Sequence, residues 1–105
     1  MRYAFLISYD GTHFYGSQRQ KSLRTVQSVL EETAEKVFGA PVKAAFSGRT
    51  DAGVHAAGQV CHLDGETGIP AEKLREAFNR LLPDDLKVLR SAAAPEGFDC
   101  TRGAR

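Results

Sequence analysis

Asp51 stands out among the carboxylates of this chain because of its neighbours. It lies inside Gly48-Arg49-Thr50-Asp51-Ala52-Gly53-Val54-His55-Ala56, with Arg49 two positions before it and His55 four positions after. Glycine and small residues let a backbone turn sharply and come close to a ligand. A turn that needs only solubility would rarely carry Arg, Thr, Asp and His together. A guanidinium near a carboxylate favours its charged form. An ionised carboxylate can attack a carbon or accept a proton. A guanidinium can also stack and bond phosphate at two points. The plain reading stands beside this one. An Asp before Ala-Gly is commonly a turn residue bonding its own backbone, and Arg49 could be its surface partner, worth about 0–1 kcal/mol.

A second stretch also carries chemistry-bearing types. Residues 10–24, DGTHFYGSQRQKSLR, hold Arg19, Lys21 and Arg24 beside Phe14 and Tyr15. Loops this long in compact domains are usually functional or disordered, and the aromatic pair argues against disorder. Basic side chains mixed with aromatics suit a nucleic-acid backbone and its bases. The plain reading of the basic cluster is a solvated loop.

The nine-residue stretch closely resembles the GRTDAGVHA signature of the TruA family of tRNA pseudouridine synthases, and all nine positions match. That family also carries Tyr-Asp-Gly-Thr, an aromatic and Gly-x-Gln after its first strand. Tyr9, Asp10, Gly11, Thr12, Phe14, Gly16 and Gln18 match this pattern. Further on, Phe98, Asp99 and Ala104 are similar to a third family segment, from which Cys100, Thr101 and Gly103 depart.

The resemblance implies an isomerase that detaches uracil from ribose, rotates it and rejoins it through carbon, with no metal or cofactor. It implies that Asp51 is the catalytic carboxylate, as nucleophile or as base at the sugar. It implies that Arg49 helps flip the target base. Arg19, Lys21 and Arg24, clustered in one loop, are the further candidates for RNA contact. Gly48, Thr50, Gly53 and His55 would shape the loop. The implied partners are tRNA, through its anticodon stem-loop, and a second copy of the complete protein. TruA proteins are longer than this chain, so the expectation is an N-terminal domain or fragment, inactive alone.

The elements that must position these residues are legible in the periodicity. Tyr3, Phe5, Ile7 and Tyr9 alternate with Arg2, Ala4, Leu6 and Ser8, which predicts a strand over 2–9. Val26, Val29, Leu30, Ala34, Val37 and Phe38 recur at helical steps over 25–38, with Thr25 as N-cap, Gly39 at the C-terminal end and Pro41 beyond. Glu31, Glu32, Glu35 and Lys36 fall mostly off that stripe and read as a solvated face. Strands are predicted at 42–47, weakly patterned because two alanines dilute it, at 57–64 and at 86–92. Pro70 opens a second helix with an apolar stripe of Leu74, Ala77, Phe78, Leu81 and Leu82, and Pro83 stops it.

The order strand, helix, strand, strand, helix, strand predicts an α+β, ferredoxin-like βαββαβ fold. This is an antiparallel four-stranded sheet with two helices on one face. The predicted domain covers 1–93, and 94–105 begins the connection to a further domain. Fold order alone does not choose a function. RNA-recognition modules share it, but they stack bases on sheet aromatics, and AGQVCHLD offers only His62. An acylphosphatase-like hydrolase would need a phosphate-cradling loop with a different glycine arrangement from that in 10–24.

Bulk properties agree with one soluble domain. With 105 residues, 42% apolar and 26% charged, the chain can bury one core. The net charge of +1 neither demands nor excludes nucleic acid. No apolar run approaches membrane-spanning length, and no metal-ligand spacing surrounds Cys61 or Cys100. The expectation is a cytoplasmic protein, off the membrane, with both thiols reduced.

Overall fold

The computed structural model describes residues 1–11, 25–46 and 56–95. Within them the elements are β1 (Arg2–Tyr9), α1 (Val26–Phe38), β2 (Ala44–Phe46), β3 (Ala56–Asp64), a 3₁₀ turn (Ala71–Lys73), α2 (Leu74–Asn79) and β4 (Leu86–Ala93). The strands form one antiparallel sheet in the order β2-β3-β1-β4. The α+β, ferredoxin-like expectation is met.

β1 explains the architecture. Its residues alternate between half-buried and buried along all eight positions. Tyr3, Phe5, Ile7 and Tyr9 therefore face the helices, while the other set faces away. Being central, β1 pairs with β3 on one side and β4 on the other. Phe5 meets Phe78 of α2 edge to face, with ring centroids 4.8 Å apart, a geometry that the ring quadrupole favours. Phe38 of α1 closes the cluster between Phe78 and Tyr3, at 6.2 and 5.7 Å.

α1 begins where its cap chemistry dictates. The Ser28 N–H donates to Thr25 Oγ1 at 3.1 Å, and the Thr25 N–H donates to Ser28 Oγ at 3.0 Å. This is a reciprocal capping box. Gly39 ends the helix at φ 78°, where its N–H donates to the Glu35 carbonyl. Only glycine adopts that left-handed conformation at little cost.

Three expectations are corrected. β2 covers only Ala44–Phe46 of the 42–47 predicted as strand; Val42 is buried without pairing. The second helix is regular only over Leu74–Asn79, so Leu81 lies half-exposed while Leu82 is buried. Glu31 is not on a solvated face: it is buried, and Oε2 accepts the Ala44 N–H at 2.8 Å. Glu32, Glu35 and Lys36 are exposed as expected.

At the sheet end opposite the candidate loops, Arg2 bonds Asp64 through Nε to Oδ1 at 2.7 Å and Nη2 to Oδ2 at 2.9 Å. That hydrogen bonding, with the positive charges of Arg2, His62 and the N-terminus, outweighs desolvation and holds the Asp64 carboxyl below its ordinary range. A carboxylate with a lowered folded-state pKa contributes stability that is complete above its unfolded pKa. That contribution is lost as pH falls through the folded value.

Two outcomes follow. Asp64→Asn is expected to lower stability by less than about 1 kcal/mol near neutrality, since the pair is largely exposed. Thermal melts across an acid series should show this difference vanishing once pH is below the lowered pKa. Phe78→Ala, at a fully buried position, is expected to cost about 3–5 kcal/mol by urea denaturation.

Candidate functional site

Two connections meet at one end of the sheet. β1 runs into Asp10 and Gly11, and the Asp10 N–H donates to the Asp85 carbonyl at 3.0 Å, just before β4 begins. Tyr9 pairs with Ala56, the first residue of β3, and with Leu86, the first residue of β4. The end of β2, Phe46, pairs with Cys61 and points toward the same end. The end of β1, which leads into 12–24, and the start of β3, which follows 47–55, are thus held side by side by antiparallel pairing.

The backbone changes register at this end. Ile7 pairs with Gln59 and Tyr9 with Ala56, so β3 carries one more residue than β1 between the two pairs. A bulge of this kind bends a strand and is common beside functional sites. Below it, Tyr9 Oη donates to Gln59 Oε1 at 2.8 Å. Both residues are buried, at 5% and 8% exposure, so this bond forms out of reach of bulk water. It ties the last residue of β1 to β3 three residues after the point where 47–55 rejoins the sheet.

Every site residue expected from the sequence lies outside the described residues. Arg19, Lys21 and Arg24 fall in 12–24, and Gly48, Arg49, Thr50, Asp51, Gly53 and His55 fall in 47–55. What is described is the platform from which 12–24 leaves β1 for α1 and 47–55 leaves β2 for β3. Gln59 was assigned no role from sequence. Its signal was a polar residue at an inward-facing strand position, in step with Cys61 and Leu63, and such a group needs a bonding partner.

The sheet face away from the helices carries Ala4, Leu6, Val60 and Ala92 around a shallow depression of about 230 Å³, flanked by Arg90. Among the described residues no Phe or Tyr side chain faces this way, since Tyr3, Phe5, Tyr9 and Phe46 are all buried in the core, and His62, which pairs with Ala4 on this face, is only 7% exposed. The described part of this face offers no exposed ring for base stacking of the RNA-recognition kind. No group of three or more His, Cys, Asp or Glu among the described residues could hold a metal ion. No helix among them is long and apolar enough to cross a membrane.

A family model described as tRNA pseudouridine synthase matches residues 6–101. The chain belongs to the TruA family of tRNA pseudouridine synthases. Individual relatives agree. It is 49% identical over 104 residues to tRNA pseudouridine synthase A of Thermus thermophilus, covering 98% of this chain and 41% of the relative. It is 46% identical over 103 residues to the protein of the same name in Listeria innocua, covering 97% of this chain and 42% of the relative. The chain therefore spans about two-fifths of the length of these relatives.

Removing the Tyr9 hydroxyl tests the platform. Tyr9→Phe keeps the ring and takes one donor from the buried Gln59 carbonyl, and is expected to cost about 1 kcal/mol. Urea denaturation monitored by circular dichroism measures it.

Proposed function

We propose that this chain is the catalytic-aspartate domain of a tRNA pseudouridine synthase acting on uridines of the anticodon arm. The observation that carries this reading is the match of all nine positions from Gly48 to Ala56 in a chain that belongs to the family. In the reaction the bond from ribose C1′ to uracil N1 breaks and a bond from C1′ to C5 forms. The C5 hydrogen leaves as a proton and N1 takes one up, so the product is an isomer and no redox partner enters. Asp51 serves at the sugar, as nucleophile or as base.

A base within a stem must leave its stack first, which costs a few kcal/mol. Arg49 offsets part of that cost by holding displaced phosphate or filling the vacated place. Arg19, Lys21 and Arg24 extend the contact along the RNA backbone. The described stems support this grouping, because both connections leave the same end of the sheet.

The span of two-fifths of the relatives' length bears on how the domain works. Residues 1–93 form the domain and 94–105 lead toward a further one, needed both for turnover and for the homodimer. The compartment that fits this substrate is the cytoplasm.

The test is tritium release from tRNA labelled at uridine C5. The 105-residue chain alone is expected to release none, even in stoichiometric excess. A chimera with this chain in place of the matching segment of the Thermus thermophilus relative is expected to release tritium. Asp51→Asn in that chimera should stop release while leaving tRNA binding within a few-fold. Turnover that survives Asp51→Asn would sink the assignment.

A further inference from the structure

Tyr9 is held in place from the β4 side. Ile7, Ser8 and Tyr9 pair in step with Val88, Lys87 and Leu86, and the Asp10 N–H donates to the Asp85 carbonyl at 3.0 Å just beyond them. On the β3 side the pairing runs in step from Arg2 with Asp64 as far as Ile7 with Gln59. It then slips, so that Tyr9 lies opposite Ala56, where unbroken pairing would put Ala57. The slip decides how far along β3 the segment 47–55 enters the sheet. One residue of strand is about 3.3 Å.

The local residue types do little to fix that choice. Ala56, Ala57 and Gly58 carry nothing longer than a methyl group, and strands of small residues specify register weakly. Gln59 is the first residue of β3 with a longer side chain. It faces the helices, and its Oε1 accepts from Tyr9 Oη at 2.8 Å. The bond spans the slip diagonally, joining the last pair before it to the first pair beyond it. Packing alone does not call for such a bond here. Two apolar groups of the same shape would fill the space at little cost, and the neighbouring inward positions, Ile7, Cys61 and Leu63, are apolar. What the bond adds is direction, because it favours one register over the next.

We infer that Tyr9 and Gln59 are positioning residues for the reaction, an inference that rests on the role proposed for Asp51. Their bond holds the slipped register, and through Ala56 it sets the point where the segment carrying Asp51 enters β3. Asp51 lies five residues before Ala56. Misplacing a reacting group by about 1 Å can cost about a hundredfold in rate, and a change of register moves the anchor by about three times that distance. Neither side chain needs to touch the RNA.

Single-turnover tritium release and tRNA affinity test this on the chimera with the Thermus thermophilus relative. Tyr9→Phe combined with Gln59→Leu replaces both members of the pair by apolar groups of similar shape and should stay folded. Its release is expected to be at least about fivefold slower than that of the parent chimera, with tRNA affinity within about twofold. Tyr9→Phe alone removes one oxygen and should be at least about threefold slower. Ser91→Ala is the control. Ser91 Oγ is also buried, lies opposite Phe5 in the middle of the sheet, donates to the Ala71 carbonyl at 2.7 Å and accepts the Arg75 N–H at 2.9 Å. Its loss should leave release at the parent rate. A folded double variant that releases tritium within about twofold of the parent would overturn the positioning role. So would a loss confined to tRNA affinity, or Ser91→Ala slowed as much as Tyr9→Phe. If the double variant does not fold, Tyr9→Phe set against Ser91→Ala decides. Asp51→Asn separates the two assignments. Turnover that survives it removes the role of Asp51. If it stops turnover while the double variant works at the parent rate, only the positioning role fails.

Discussion

The alternation of β1 governs everything else in the molecule. Tyr3, Phe5, Ile7 and Tyr9 are all buried on one side of a strand that has neighbours on both edges. A shift of one residue would turn these four outward and bring Ala4, Leu6 and Ser8 in. The helices could not then pack, because the ring contacts among Phe5, Phe38, Phe78 and Tyr3 close the space between them and the sheet. The register of β3 and β4 follows from β1, and the stems of the candidate loops follow from that register.

This gives a division of labour common among ligand-binding domains. The core is apolar, and its polar exceptions, such as Gln59 and Glu31, are bonded. Chemistry-bearing types are concentrated in connections that leave from one end. Loops on a rigid scaffold can change their chemistry without disturbing the core. The extra residue in β3 before Gln59 marks where regular pairing gives way to that freedom.

Much of the fold was legible because its signals were local. Thr25 and Gly39 bracket α1 with cap chemistry that needs no knowledge of the rest of the chain. The alternation in β1 is as plain in sequence as in space. What was not legible depended on distant partners. Glu31 reads as solvated until Ala44 comes to lie beside it. Val42 has the residue type of a strand but no partner at its level, so β2 starts two residues later. Leu81 and Leu82 share one predicted stripe, but the helix is no longer regular when it reaches them, and only Leu82 turns inward. For the candidate site, residue types and spacing identified the family. The two platform residues, Tyr9 and Gln59, are distant in sequence, and nothing along the chain announces that their side chains meet.

The central place of β1 also has a consequence for synthesis. The ribosome makes residues 2–9 before their partners, Ala56–Asp64 and Leu86–Ala93. Non-local pairing of this kind must close long loops before any contact rewards it. The nascent chain therefore carries its most aromatic strand unhoused until nearly the whole domain has been translated. During that interval, the segment that later organises the core is the one most in need of shielding from other chains.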